Sequence, residues 1–293
     1  MLRIKADLLL QIIFTVENAW TFLTGTATFS HGTKVGTVLD HSIDQASGLA
    51  SSRLHPGVVY THNNQGDRSR LFAVATNGTL LATLEIDYAE NHDWEDIAQG
   101  VCPDRKASSC LYIGDVGDHG GDGSRRYIYV VKEPSEVQNS HITPIRVLHF
   151  SWSEQDVETL MVDPSGNVIL VSKVDGGNGK VGLIPASAFS TSNTFNITNS
   201  TILAIPPTKH SDPLGGDISP DGTEVIIRTH NRVFYWKIND GNYLSGLSTM
   251  KGREIPVHDG HHGKAVAWDA LGSGYYSFSE GKDEPIYYYR RLS

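Results

Sequence analysis

The sequence predicts an all-β chain folded as a single β-propeller of four-stranded antiparallel blades. Three observations carry this. A short run with a polar first residue and an aliphatic residue two places on recurs down the chain: Ser47-Gly48-Leu49, Glu95-Asp96-Ile97, Glu158-Thr159-Leu160, Lys264-Ala265-Val266 and, more loosely, Gly216-Asp217-Ile218. A turn usually rich in Asp, Pro, Ser or Gly follows, and then a β-rich run: Val58-Val59-Tyr60, Leu111-Tyr112-Ile113, Val168-Ile169-Leu170, Val225-Ile226-Ile227, Tyr275-Tyr276-Ser277. A strand, a turn and a strand repeated in this way is the mark of radial blades. The length, 293 residues, also suits one all-β domain. Five first-strand motifs favour five blades of about 50 residues; six of about 41 also fit the ~40–50 residues of common repeats, with the sixth drawn from 175–213 or from the N-terminal segment.

Residues 1–30 stand apart from the propeller domain at 31–293. Arg3 and Lys5 precede a mostly apolar run from Leu8 to Val16, and small residues follow at Thr24-Gly25-Thr26-Ala27. This resembles a secretory signal, although Asp7, Gln11 and Glu17 interrupt it; an amphipathic helix or an edge strand is the alternative. No apolar run approaches the ~20 residues that span a bilayer. A strand from before Ala46 is expected to complete the last blade, because an open edge invites association.

Blade one runs from Ala46 to about Ile86, with Asn77-Gly78 as the hairpin signal between its third and fourth strands. Blade two, Asp93 to about Trp152, carries a loop between Cys102 and Cys110 and the turn Gly114-Asp115-Val116-Gly117-Asp118. Blade three opens at Val157 and has a polar outer part, 175–207. Blade four is compact, from Gly215 to Ile238. A long polar connection, 239–262, leads to blade five, Lys264 to Tyr289. Trp94 and Trp268 are expected in the core between blades.

The formal net charge of −9 sets nucleic-acid binding aside, since such domains are usually basic. The two cysteines are free thiols in a reducing compartment and a short disulfide staple in an oxidising one. They fit no four-ligand zinc pattern. Three N-x-S/T sequons, at Asn77, Asn196 and Asn199, join the cysteine pair in favouring a secreted, extracellular glycoprotein. A monomer is expected.

The motifs WEDIA, LYIGDVGD, VETLMVDP, DISPDG, AVAWD and SFSEG together resemble a family of secreted or exported propeller proteins, largely without assigned activity. The resemblance spans about Ala46 to Tyr289 and is specific for fold rather than for chemistry. A fainter similarity is to five-bladed calcium-activated nucleotidases, in which Ser and Glu residues of the innermost strands surround a central calcium. What that resemblance implies here is a metal set of Ser47, Glu95, Glu158 and Asp217. Lys264, where similar sequences carry Glu, departs from the pattern, as does blade four, which offers Gly216 or Asp217.

The innermost strands of a propeller line its channel, so these polar residues are expected to converge. Gathered carboxylates need a counter-charge. Calcium, with its six to eight oxygen ligands, supplies one; an internal ion pair of Lys264 with Glu95 or Glu158 supplies the other. A second set lies at or near the ends of the second strands: His62, Asn63, Asp115, Asp118, Lys173, Arg228 and Glu280. As a rim around one channel mouth it would bind an anionic or polyhydroxylated ligand such as a glycan, with His62 or Asp115 as general base. The competing reading is ordinary turn chemistry. His258, His261 and His262 read as a solvated loop rather than a metal site. No G-x-S-x-G, H-E-x-x-H or Walker motif occurs. Two functions remain: an extracellular binding or matrix protein with a polar channel, or a calcium-dependent hydrolase of phosphate or ester bonds at the channel mouth.

Overall fold

The computed structural model describes residues 27–104, 109–118, 126–173, 179–207, 212–258 and 263–293. The signal-like stretch up to residue 26, the centre of the cysteine loop, the glycine-rich turn beyond Asp118 and the pair His261 and His262 lie outside them. Five separate sheets form five blades. The six-blade alternative is thereby corrected: Lys180–Ile184 and Ser200–Ile202 are the outer strands of blade three, and Phe195–Asn196 attaches to blade two.

The innermost strands are Ala46–Ser51, Trp94–Gly100, Val157–Val162, Gly215–Ile218 and Gly263–Trp268. Each pairs antiparallel with the next strand of its own blade. Alternation then decides which side chains meet which neighbour. In Cys110–Asp115, Leu111 and Ile113 face blade one, packing with Tyr60 and Leu71. Tyr112, between them, faces blade three, packing with Leu160 and Leu170. The same logic gives five apolar clusters, one for each pair of adjacent blades. Trp94 and Trp268 are fully buried in two of them.

The ring closes by sharing a blade between the chain's two ends. Thr33–Thr37 pairs with Pro285–Arg290, so the last blade takes three strands from the end of the chain and one from before Ala46. Its close approach to blade one requires Gly36: a Cβ there would stand 2.1 Å from the backbone carbon of Asn77, in the hairpin turn where Gly78 has φ +92°. Two blades depart from the expected four antiparallel strands. Ser140–Ile142 adds in parallel to blade one, and Phe195–Asn196 adds in parallel to blade two.

Four of the five innermost strands carry a register shift near their start, between Ala46 and Leu49, Trp94 and Asp96, Val157 and Thr159, and Gly263 and Ala265. Blade four pairs without one. A bulge leaves a residue out of the ladder and re-aims its side chain. The residues set free include Ser47, Glu95, Glu158 and Lys264.

Candidate functional site

These four residues meet at one end of the channel, and all are buried. The Lys264 ammonium donates to Glu95 Oε2 at 2.8 Å and to Glu158 Oε2, so one cation bridges blades two and three from blade five. Ser47 Oγ donates to the Glu95 backbone oxygen at 2.6 Å. Lys173 Nζ donates to the other oxygen of Glu158 at 2.7 Å.

The two glutamates differ in their balance. Burial pushes the Glu95 carboxyl well above the usual range; Lys264 offsets this in part, while Glu158 and Asp93 push it further. Burial also opposes ionisation of Glu158, but Lys264 and Lys173 together outweigh it and hold that carboxyl below its ordinary value. Lys264 loses solvation, yet its two carboxylate neighbours raise its pKa. The ammonium therefore stays charged at this end of the channel.

Asp93 and Asp156 lie beside this pair. Glu95, Asp156 and Glu158 each bring one oxygen within 4.8 Å of the others, the donor chemistry of a hard cation. Gly117 permits the crowding: a Cβ there would lie 2.6 Å from the Asp93 carboxylate and 2.7 Å from Glu95 Oε1. Asp115 accepts from the Asp93 N–H at 2.8 Å, and burial, only partly offset by that bond, raises it to about 6.

Asp217 does not join the ring. Without a bulge in its strand, its carboxylate accepts from Ile218 N at 2.8 Å and Trp268 N at 2.9 Å, fastening blade four to blade five, and burial raises it to about 7. Asp96, which the motifs left without a role, does similar work. It accepts from Ile97 N, Leu160 N and Gly216 N, which links blades two, three and four. A buried Asp just before an aliphatic residue on an innermost strand was the signal for both.

The expected rim residues do lie where the second strands end, opposite the starts of the innermost strands. Several of them are buried there rather than open to a ligand. His62 is fully buried, edge-on to Trp94 at 5.6 Å, with burial lowering its pKa to about 4, so it does not reach the mouth. Arg228 is also buried, against Gly263, where a Cβ would touch its guanidinium. Lys173 is engaged by Glu158. Asp118 and Glu280 are half-buried near the ends of their second strands. Asn63 lines a polar cleft of about 430 Å³ with His41, Asp44, Gln45, Asp67 and Arg70. The cleft opens where the first blade's innermost strand begins and its second strand ends, on the same face as the channel ion pair. Its walls are preorganised: Asn63 Nδ2 donates to Ser42 O and Asp67 Oδ2, and Arg70 forks onto Asp67 at 2.9 and 2.8 Å.

No family model matches the chain, and no curated protein does. Among solved structures it is similar to the PQQ-bound aldose sugar dehydrogenase of Streptomyces coelicolor, with a TM-score of 0.50 and 11% identity over 91% of this chain and 98% of that one. It also matches U3-55K, with a TM-score of 0.42 and 15% identity over 83% and 67% of the two chains. At such identities the likeness to the dehydrogenase is one of fold. The Cys102–Cys110 disulfide is formed, at an S–S distance of 2.01 Å. Among the described residues no helix is long and apolar enough to cross a membrane.

Proposed function

We infer that the chain is an extracellular binding or matrix protein whose channel is closed by an internal ion pair and whose ligand sits in the polar cleft at the same mouth. The observation that carries this is the cleft itself, walled by His41, Asp44, Gln45, Asn63, Asp67 and Arg70. Amides, carboxylates and a guanidinium held at fixed angles suit a polyhydroxylated ligand such as a glycan. The disulfide supports an oxidising location. Ser47, Glu95 and Glu158 are the residues that would hold calcium in this reading, with Asp156 in place of Asp217, but Lys264 already supplies the positive charge there.

The hydrolase reading has one observation in its favour. Asp115 is raised to about 6, into the range of a working base. His62, the other candidate base, is sealed away, and Asp115 is itself buried.

The test is a calorimetric screen of soluble oligosaccharides against the parent and Arg70→Ala, beside a panel of phosphate and carboxylic esters with and without calcium. Binding that falls at least tenfold in Arg70→Ala, with no turnover, is expected. Calcium-dependent hydrolysis abolished by Asp115→Asn would overturn the reading in favour of the enzyme.

A further inference from the structure

The outer edges of the blades differ in one respect. Blade one ends in Ser140–Ile142, where His141 pairs with Asp87. Blade four ends in Arg253–Ile255, which carries Arg253 and Glu254. Blade five ends in Thr33–Thr37, which carries Lys34. Charges of this kind are how native sheets keep exposed edges from pairing with other chains. Blades two and three end in Phe195–Asn196 and Ser200–Ile202, and residues 181–208 contain no Asp, Glu, Lys or Arg at all. Ile202 is 58% exposed on the second of these edges. An exposed edge without charge, rich in Thr and Ile, is an aggregation hazard.

Phe195–Asn196 covers only Phe150 and Ser151 of blade two and leaves Arg146 to charge the rest of that edge. The two uncharged edge strands are also where two of the three sequons fall. Asn196 belongs to the edge strand of blade two, and Asn199 immediately precedes that of blade three. Both are exposed. Asn196 Oδ1 accepts from Ser151 Oγ at 3.2 Å, a bond that glycosylation leaves intact because the sugar attaches to the other amide atom, Nδ2. The third sequon is placed differently. Asn77 sits in the hairpin turn clamped against Thr33–Thr37, the edge that Lys34 already charges.

We propose that Asn196 and Asn199 form a glycan-acceptor site, and that the N-linked glycan stands in for the missing charges as the guard of these two edges. The site rests on the extracellular reading above, since the modification occurs in the secretory pathway. The donor is an oligosaccharide carried on a lipid diphosphate. The Asn Nδ2 loses a proton and bonds the anomeric carbon, and the bond from that carbon to phosphate oxygen breaks, releasing the lipid diphosphate. A bulky, hydrated sugar over the edge blocks a second chain from adding its strand.

The experiment uses the full chain expressed in a glycosylating eukaryotic cell. Secreted protein is mapped for glycan by mass spectrometry, and its association is followed by light scattering after trimming of the folded protein with an endoglycosidase that leaves one sugar. The double variant Asn196→Gln/Asn199→Gln, the control Thr79→Ala, and the double variant with Ile202→Lys added are compared. Glycan at Asn196, Asn199 or both, association of the trimmed protein and of the double variant, none in the control, and recovery of the monomer with Ile202→Lys are expected. Secreted protein without glycan at either residue, or a trimmed protein that stays as monomeric as the parent, overturns the proposal and leaves the extracellular reading standing. Retention of the chain in the cytosol overturns both.

Discussion

The imidazole of His62 is sealed between blades one and two, with its Nδ1 3.0 Å from the Asn63 carbonyl oxygen and its ring against Trp94. Its pKa falls from 6.5 to about 4, chiefly through lost solvation. The unfolded chain therefore binds a proton that the folded one refuses between pH 6.5 and 4. The stability from a neutral His62 is complete above pH 6.5 and drains as the pH falls. About 2–3 kcal/mol should be lost on going from pH 7 to 4.5, since each tenfold change in proton affinity is worth about 1.4 kcal/mol. His62→Phe, which keeps the ring contact, should lose that much less over the same interval in urea titrations. A His62 ring that titrates near 6.5 by NMR would contradict this. Residue identity was the legible part at this scale, not orientation. Glu95, Glu158, Ser47 and Lys264 were found because each opens a first strand. Asp217 was misplaced because the bulge that turns the others inward is absent from blade four, and a bulge leaves no mark in the order of residues.

At the scale of the element, closure of the ring depends on Thr33–Thr37 lying close over the Asn77-Gly78 turn. Gly36→Ala places a methyl within 2.1 Å of backbone that cannot yield, so this exposed strand should be as sensitive as a core position. A loss of about 3 kcal/mol is expected, the upper end for single changes, and deletion of residues 33–37 should lower the melting temperature further. A Gly36→Ala protein that melts with the parent would show the contact to be slack. The Cys102–Cys110 staple is the other element that can be tested alone. Its short loop should contribute about 2 kcal/mol, measured as the stability difference between the parent and Cys102→Ser/Cys110→Ser. The closing strand could be anticipated because an open blade would expose an edge. The added parallel strands Ser140–Ile142 and Phe195–Asn196 could not. Two or three residues hold no readable alternation, and their pairing is decided by the blade they happen to pass.

For the whole molecule, five recurring motifs were enough to count five blades, because each blade needs its own innermost strand. The device that joins the blades at the centre is a matter of charge. Lys264 reaches from blade five to Glu95 of blade two and Glu158 of blade three, so one ammonium links three blades across the channel. Removing it with Lys264→Met leaves two buried carboxylates facing each other, and breaking a buried pair in this way costs about 3–5 kcal/mol. Part of that loss is recoverable: Lys264→Met with Glu95→Gln removes one of the stranded charges and should melt higher than Lys264→Met alone. Calcium separates this arrangement from a metal centre. In the parent, the cation would meet a resident positive charge among Glu95, Asp156 and Glu158, so chelator and added calcium should leave the melting temperature unchanged. Lys264→Glu exchanges that charge for another oxygen donor. The variant should be less stable than the parent in chelator and regain stability with calcium, by about 2.7 kcal/mol when the ion stands a hundredfold above its dissociation constant. A parent that is itself stabilised by calcium to that extent would mean that the carboxylates hold the ion with Lys264 displaced, and the ion pair would then be the resting state of a metal site.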